Sequence, residues 1–488
     1  MDLYRELFAR FRALETNECS GTVSNAEAEA FLCEGAPRFA CSDETLTEIF
    51  AFRLWTFRKH LRATPDGFVI TEFLPDVPWA GAYNAIVCPV GHHINEGRWL
   101  RDRRYIKEDI LHFLCGAGRE DVFSYQNDLI FAACDYVLSF GDLAFGAQIL
   151  DDLVRVYRTW WERNGTSTGL LWCVDDTDGM EYSISGSGLR PTLNAYMYGA
   201  AYGLARLCEQ LGRTDEARTF RAEAEALRES IERYLWDARD GFYKTVPQDT
   251  RDGIADLTRK NSARDVRELI GYLPFAYPAL VGEGKDGAFA ALTDPDCFMA
   301  PYGLTTADRS HPRFRRTEVD HECLWDGPVW PFATAQTLSA VIRHRERGEI
   351  PTFPDECFVQ ALMTYARSHY LTEDGVRVPW IDEDMDPDTG EWVARRMLHE
   401  LNDPLAERGV WYNHSSFCDL VIRGLCGVRP MGDHVELCPM LSDSIRWLLL
   451  ENLHLFGKTY AVYYDADGTH LGRGKGLFLE ETADFANI

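Results

Sequence analysis

The sequence predicts a mainly α-helical protein: a six-hairpin (α/α) toroid barrel with a small C-terminal β appendage. Three observations support this prediction. Apolar residues recur at helical spacing from about residue 43 to residue 428, the segment 192–236 is typical of a helical hairpin, and the last part of the chain changes to alternating strands. The sequence predicts roughly ten to twelve long helices in hairpin pairs. Such pairs are typical of a barrel in which an inner ring of helices lies inside an outer ring, with the functional site at one end of the barrel.

Helical spacing begins early in the chain. Asp43 is a candidate N-cap for a helix that carries apolar side chains through Phe57, because its carboxylate can accept free amide hydrogens of the first turn. Residues 145–162 repeat apolar side chains every three or four positions. Further helices are predicted at 103–116, 126–140, 329–345, 355–371 and 414–427.

The clearest supersecondary unit spans residues 192–236. A first helix begins near Thr192 and ends at Gly212, and Thr214 is the candidate cap of a second helix. Because the turn between them is short, the two helices are expected to be antiparallel neighbours.

The end of the chain is predicted to be a β structure. Residues 458–464 alternate between apolar and polar side chains, residues 465–468 form a turn, and residues 436–439 and 445–450 are predicted as companion strands. The chain therefore divides into a helical and strand lead-in at 1–75, a barrel catalytic domain at 76–430 and a small β appendage at 431–488 packed on the barrel.

The amino-acid composition limits which kinds of molecule the protein can bind. A net charge of −27 repels polyanions, so nucleic acid is a poor partner. The 14 cysteines are scattered without a C-x-x-C pair, the first residues lack a signal-peptide pattern, and no run of about 20 apolar residues occurs. We therefore predict a cytoplasmic protein that does not enter membranes and acts on neutral or small ligands. The composition leaves the oligomeric state open.

Two carboxylates on distant loops are candidates for catalysis. Glu383 stands just before the tight turn at 386–390, and Glu181 lies among aromatic and small residues in a loop that leads to the helix at Thr192. A solvated loop acid is the default interpretation of each. Two acids facing one another can cleave a glycosidic bond, because one protonates the leaving oxygen and the other activates water or attacks carbon.

A third motif, Trp325-Asp326-Gly-Pro-Val-Trp330, places two aromatic rings and an acid around a Gly-Pro turn before a predicted helix. Such rings can stack on the apolar face of a sugar. The alternative interpretation is a packed helix start with no contact to a ligand.

In order and wording, these motifs resemble the α/α-barrel glycosidases related to glycoside hydrolase families 63 and 37. That group includes processing α-glucosidase, trehalase, and mannosylglycerate and glucosylglycerate hydrolases. Asp178–Ser183 resembles the group's Ser-Gly-Met-Asp-Asn-Ser segment, with Glu181 at the position of the general acid. Trp325–Trp330 resembles Trp-x-Gly-Pro-x-Trp, and Glu383–Glu391 resembles Glu-Tyr-Tyr-Asn-Pro-x-Thr-Gly-Glu, whose first Glu is the general base. The resemblance covers most of residues 75–430.

The resemblance implies an inverting exo-glycosidase for a small α-linked glycoside or an oligosaccharide end, with Glu181 as general acid and Glu383 as general base. A water must then fit between the two carboxyl groups, which are roughly 6.5–9.5 Å apart in such enzymes. The acid must be protonated at rest, which burial or a neighbouring acid would favour. Glu is one methylene longer than the group's Asp at this position, so Asp178 remains the alternative acid.

The resemblance also implies a sugar pocket. Glu96 and Arg98 are expected to bind sugar hydroxyls and Trp99 to stack on a sugar ring, whereas a salt-bridged helix start is the alternative for Arg98 and Asp102. Residues 412–414 lie where the group has another segment of the sugar pocket, but their amino-acid sequence differs from that of the group. The predicted substrate-binding residues are Trp79, Tyr83, His93, Glu96, Arg98, Trp99, Asp178, Trp325, Asp326, Trp330, Tyr412 and His414.

Metal-ligand patterns in the sequence are weak, and no cofactor is predicted. His93 and Glu96 are three residues apart, but no H-E-x-x-H motif accompanies them. Asp384, Asp386 and Asp388 are spaced as in a calcium loop, but the glycine falls one position late. A plain turn is the favoured interpretation, and adventitious calcium remains the alternative.

Two other functions fit the same residues. A sugar epimerase or isomerase on an α/α barrel would use His93 and His414 as its proton-transfer pair. A non-catalytic carbohydrate-binding protein would bind a sugar without turnover.

Overall fold

The computed structural model describes residues 2–14, 21–251, 266–347 and 353–482, and helices predominate over these ranges. The α-helices are α1 Asp2–Leu14, α2 Ala28–Gly35, α3 Glu44–Lys59, α4 Val90–Gly97, α5 Arg104–Leu114, α6 Leu129–Phe140, α7 Leu143–Asn164, α8 Pro191–Gln210, α9 Thr214–Tyr234, α10 Pro331–Glu346, α11 Asp355–Ser368 and α12 Val393–Glu400.

The strands are short outside the C-terminal region. They are β1 Arg38–Cys41, β2 Leu61–Thr64, β3 Gly67–Ile70, β4 Gly188–Leu189, β5 Trp236–Asp237, β6 Phe242–Tyr243, β7 Val246–Pro247, β8 Met299–Ala300, β9 Gly303–Leu304, β10 Tyr370–Glu373, β11 Val376–Pro379, β12 Val428–Pro430, β13 Val435–Leu437, β14 Trp447–Leu455, β15 Lys458–Asp465 and β16 Gly476–Thr482.

Six helical segments contact one another in succession through the centre of the molecule. They are α4, α6, α8, the 3-10 segment Leu269–Ala276, α10 and the π-helical segment Leu420–Leu425. The last segment returns to the first through Glu96 of α4, whose carboxylate accepts the amide hydrogens of residues 417–419. An acid at this place binds the amide groups that the first turn of a helix leaves free.

The outer helices pack against these central segments and differ from them in which of their residues are buried. On α9, the buried residues recur at three- and four-residue spacing from Ala217 to Ile231, so only one stripe faces α8. On α8, nearly every residue from Pro191 to Cys208 is buried. In the same way α5, α7 and α11 contact α4, α8 and α10, and α11 also contacts α3.

Most of the predicted helices are confirmed, with corrections at their ends. Asp43 caps α3 by accepting the amide hydrogen of Leu46 at 2.9 Å. The prediction that Thr214 caps the second hairpin helix is wrong, because Thr214 is the first residue of α9 and no side chain caps this helix. The predicted helix at 355–371 ends at Ser368, and the hairpin β10–β11 follows it.

The main sheet has four antiparallel strands in the order β1-β14-β15-β16. Strands β14, β15 and β16 were predicted, but β1 comes from the predicted lead-in and pairs with β14 from Arg38 opposite Glu451 to Cys41 opposite Leu448. The β unit thus combines both ends of the described chain. Residues 483–488 of the predicted appendage lie outside the described residues.

The central segments have two distinct ends. The loops before α4, α8, α10 and Leu420–Leu425 meet at one end, as the contacts below show. The opposite ends surround a cavity of about 610 Å³ whose lining includes Arg98, Asp135, Arg343, Glu346 and Arg423. Within the described ranges, no helix combines the length and apolarity that a bilayer crossing requires.

Candidate active site

The loop before α8 holds Glu181 against the Trp325 motif. The indole nitrogen of Trp325 donates to Oε2 of Glu181 at 2.9 Å, and the Trp325 amide donates to the Glu181 carbonyl at 3.1 Å. Gly179 has a φ of 71°, the left-handed region, and a Cβ there would lie 3.2 Å from the ring of Trp330. A glycine therefore allows the loop to pass close to the aromatic wall.

Glu181 is suited to carry a proton near neutral pH. Burial, together with the negative charge of Glu383, raises the pKa of Glu181 from its usual 4.5 to about 7, although the Trp325 hydrogen bond lowers it. The charge of Glu383 acts on this group, so the two acids lie near one another in the fold.

Glu383 is fixed from both sides. Nη2 of Arg408 lies 2.8 Å from Oε2 of Glu383 and 2.8 Å from Oε1 of Glu322. The Glu383 amide donates to Oδ1 of the buried Asp382 at 2.8 Å. The guanidinium therefore fixes the position of this carboxylate and places a positive charge beside it.

Asp178 is held away from such a role. Its Oδ2 lies 2.6 Å from Nε of Arg190 and accepts the Thr192 hydroxyl at 2.9 Å, and the side chains of Asp178 and Arg190 are both fully buried. Asp178 therefore ties the Glu181 loop to the start of α8. Burial raises the pKa of Asp178, but its Oδ2 is already engaged by Arg190 and Thr192, so this oxygen is not available to a substrate.

The predicted aromatic motif forms one wall of the cleft. Trp325 stacks on Trp330 with ring centroids 4.3 Å apart, and Trp330 stacks on Phe332 at 4.5 Å. Asp326 is buried and accepts the Thr317 amide at 2.8 Å, so its carboxylate fastens the preceding loop.

Trp79 lies near Glu383 through its contact with Arg408, whereas Tyr83 contacts Asp66 and His112. Trp79 is 42% exposed, and the guanidinium of Arg408 lies 5.2 Å from the centre of its ring. The Tyr83 hydroxyl instead donates to Asp66 at 2.9 Å. Tyr182, next to Glu181, is 43% exposed and lies 5.2 Å from the ring of His321.

Four other predicted pocket residues are engaged inside the fold. His93 Nε2 lies 2.8 Å from the carbonyl of Asn413, so this nitrogen carries the hydrogen. Arg98 pairs with Asp135 at 3.0 Å and with Asp419 at 2.6 Å, which is the salt-bridged alternative. Trp99 also donates to Asp419 and is 1% exposed, and Glu96 holds residues 417–419 as described above. Asp102 pairs with the neighbouring Arg104.

Tyr412 and His414 lie beside the aromatic wall. Their rings stack with centroids 3.7 Å apart, and His414 lies 6.5 Å from Trp330. Burial lowers the pKa of His414 well below its usual value and that of His93 to about 4. Both imidazoles are therefore neutral near pH 7.

Sequence reasoning missed several residues of the cleft, above all Glu72. The Tyr412 hydroxyl donates to its carboxylate, and burial with the charges of Glu383 and Glu181 raises the pKa of Glu72 to about 8. Glu72 is the one acid in the apolar and small stretch 67–75, a signal that could have identified it. The other missed residues of the cleft are Arg408, Cys88 and Tyr125, whose pKa values respond to the same acids.

The calcium-like spacing after Glu383 is used for folding. Asp384 Oδ1 accepts the Ala394 amide at 2.8 Å at the start of α12, and Asp386 Oδ1 accepts the amides of Asp388 and Thr389. These bonds make the segment a capped turn.

Comparison with known proteins identifies the family. The model of the mannosylglycerate hydrolase MGH1-like glycoside hydrolase domain matches residues 82–415. A solved structure named sialidase is 33% identical with a TM-score of 0.88, over 98% of this chain and 43% of that chain, so the chain spans less than half of that protein.

Two further solved structures share the mainly α-helical fold. The GH78 family rhamnosidase of Bacillus sp. GL1 is 16% identical with a TM-score of 0.58, over 92% of this chain and 42% of that one. The GH63 mannosylglycerate hydrolase from Thermus thermophilus, in complex with glucose, is 13% identical with a TM-score of 0.52, over 76% of this chain and 98% of that one. The family match extends over more than half of the sequence and confirms the resemblance seen in the motifs: the chain belongs to the MGH1-like glycoside hydrolase domain family.

Proposed function

We propose that the protein is an inverting exo-glycosidase in which Glu181 is the general acid and Glu383 the general base. The observation that supports the proposal is the contrast between the surroundings of these two neighbouring acids. Glu181 is kept partly protonated by burial, whereas Glu383 is paired with Arg408. Acids whose environments push their protonation apart take opposite roles in catalysis.

Glu181 transfers its proton to the glycosidic oxygen as the bond to the anomeric carbon breaks. The carboxylate that forms is stabilised by the indole N–H of Trp325, which already donates to Oε2. The same bond orients the side chain, which general acid catalysis requires.

Glu383 takes a proton from a water molecule on the opposite face of the sugar. Arg408 holds Oε2, so the other carboxylate oxygen can accept that proton. The water oxygen bonds to the anomeric carbon as the leaving group departs, and the configuration inverts.

The fold that supports this chemistry is proposed to be an (α/α)6 barrel. The six central helical segments would form the inner ring, and α3, α5, α7, α9, α11 and the segment Asp286–Leu292 the outer one. The domain limits 76–430 and 431–488 stay proposals, with β1 added to the second unit.

The substrate is proposed to be a small α-linked glycoside or an oligosaccharide end. The proposal is supported by the buried stack of Trp325, Trp330 and Phe332 beside Glu181 and by the exposed rings of Trp79, near Arg408, and Tyr182, next to Glu181. Such a cleft favours a terminal sugar inside and a leaving group outside. Glu96, Arg98 and Trp99 are left out of this pocket because their side chains serve the fold. A cytoplasmic location, predicted in part from the scattered cysteines, belongs to the same proposal.

The epimerase alternative is not favoured. His93 is held by the Asn413 carbonyl and has a pKa lowered to about 4, and His414 is buried and neutral. A proton-transfer pair for neutral pH needs pKa values near that pH.

A panel of aryl glycosides tests the proposal, with NMR of the first anomer released. Inversion is expected, and a retained anomer would contradict the role of Glu383. Glu181→Gln should lose activity on poor leaving groups by about 10²–10⁴-fold and much less on dinitrophenyl glycosides, which need no proton.

Two variants act as comparisons. Glu383→Gln should be inactive on every glycoside of the panel. Asp178→Asn should instead unfold at lower temperature, because it leaves the Arg190 charge buried and unpaired, which costs about 3–5 kcal/mol. Tight sugar binding without turnover across the panel would favour the non-catalytic alternative.

A further inference from the structure

We propose that Glu72 binds a hydroxyl group of the sugar held between Glu181 and Glu383, through the carboxyl oxygen that Tyr412 leaves free. This inference rests on the proposed glycosidase function. Glu72 would be a third acid of the site, with a role in binding and none in the two proton transfers proposed for Glu181 and Glu383.

The backbone around Glu72 is fixed to the segment that carries Tyr412. The Asn413 amide donates to the Glu72 carbonyl at 3.0 Å, and the Asn413 side chain donates to the Thr71 carbonyl at 3.1 Å. The Tyr412 hydroxyl donates to Oε1 of Glu72. Among the described residues, none donates to Oε2, so this oxygen is free to meet a ligand.

The surroundings of Glu72 are acidic. Its pKa is raised chiefly by burial and further by the charges of Glu383 and Glu181, and only the Tyr412 hydroxyl lowers it. The titratable groups around it are Glu181, Glu383, Tyr412, Cys88 and Tyr125. The guanidinium of Arg408 pairs instead with Glu383 and Glu322, and the imidazoles of His60, His93 and His414 are neutral near pH 7 because burial lowers their pKa values. With its pKa raised to about 8, Glu72 is mostly uncharged near pH 7.

An uncharged carboxyl group suits a sugar hydroxyl better than a carboxylate does in this place. It donates through O–H and accepts through its other oxygen, and a sugar hydroxyl also does both. Burying a carboxyl group among other acids is unfavourable for folding. A side chain of this kind next to two catalytic candidates is therefore best explained by contact with the ligand.

The test compares KM and kcat over pH 6–10 for the wild type, Glu72→Gln and Glu72→Ala on an aryl glycoside that the wild type cleaves. Glutamine copies the uncharged acid and still donates a hydrogen bond. We expect Glu72→Gln to stay within about threefold of the wild-type KM at pH 7 and to lose the rise in KM above about pH 8. Glu72→Ala should raise KM by about 10–100-fold with a smaller change in kcat.

Asp109→Asn is the matched control. Asp109 is also buried with a pKa raised to about 8, and it accepts the Ile70 amide two residues before Glu72, but the catalytic candidates do not act on it. Its substitution should leave the pH dependence of KM unchanged. Tyr412→Phe removes the bond that lowers the pKa of Glu72 and should move the rise in KM to higher pH.

Calorimetric titration of the same variants with methyl α-glucoside, methyl α-mannoside and methyl α-rhamnoside separates the two proposals. Glu72-dependent binding without turnover would overturn the glycosidase proposal and keep this one. Turnover with the same KM and the same alkaline rise in all Glu72 variants would overturn this one alone. Binding of none of the three sugars, together with no turnover, would overturn both.

Discussion

The side chain of Trp325 and its backbone amide both donate to Glu181, at 2.9 Å to the carboxylate and 3.1 Å to the carbonyl. The two residues are 144 positions apart in sequence. The motif that builds the aromatic wall thus also sets the position and the protonation of the proposed acid.

Trp325→Phe should shift the pH profile of the enzyme. The indole N–H stabilises the ionised form of Glu181, so its removal raises the pKa of that residue above about 7. The alkaline limb of kcat/KM should move up by as much as about one pH unit, since a hydrogen bond to a charged group contributes about 1.5 kcal/mol. A pH–rate profile measures the shift. Movement of the limb to lower pH would contradict the assignment of Glu181.

Arg408→Lys should lower kcat by about 10–100-fold with little change in KM. Lysine keeps the charge but places it differently, and a displacement of about 1 Å at a catalytic group is enough for such a loss. The control is Glu322→Gln, which removes the other partner of Arg408 and keeps its 2.8 Å contact with Glu383. Equal losses in both variants would show that the guanidinium serves the fold and not the carboxylate of Glu383.

Gly409→Ala should lower both stability and activity. A Cβ at this position would lie 1.8 Å from Oδ1 of Asp382, which also accepts the Glu383 amide, so the turn that carries Glu383 must move. We expect a loss of about 1–3 kcal/mol in the free energy of unfolding, the usual range for overpacking, along with a lower kcat. Chemical denaturation and steady-state kinetics measure the two effects. Gly282→Ala, where no atom lies within 4 Å of the new carbon, should change neither.

Asp109→Asn should change how stability depends on pH. Burial raises the pKa of Asp109 from 3.8 to about 8, so between these values the folded protein holds a proton that the unfolded chain has lost. The wild type therefore loses stability as the pH rises from about 4 to about 8, and the asparagine variant lacks this loss. From pH 5 to pH 8 the variant should gain at least about 1.4 kcal/mol over the wild type, the value of one pKa unit. If the difference in the free energy of unfolding between the variant and the wild type is the same at pH 5 and pH 8, the raised pKa of Asp109 is refuted.

Local sequence patterns predicted the elements whose apolar stripe is regular, such as α3, α7 and α9. They missed the central segment Leu269–Ala276, which is buried on all sides and contains Pro274, so its sequence has no stripe to find. The end of the predicted helix at 355–371 was misplaced because the hairpin that follows it depends on pairing between Tyr370 and Pro379. A pairing of this kind has no local signal.

The same limit applies to the site. Glu181 and Glu383 were found because each stands in a motif of its own. Whether an acid such as Asp178 faces the cleft or a buried arginine depends on Arg190 and Thr192 on the next helix, and the role of Glu72 depends on Tyr412, 340 positions away. The spacing of residues along the sequence does not predict contacts between side chains that come together only in the folded protein.

Strand β1 has a consequence for how the protein is made. Arg38–Cys41 are synthesised long before their partner strand, Trp447–Leu455. A strand edge that stays unpaired while the intervening residues are synthesised is open to wrong pairing with other chains. Nascent chains should therefore depend on chaperones until β14 emerges, and expression without residues 2–41 should yield aggregated protein even though the catalytic candidates are intact.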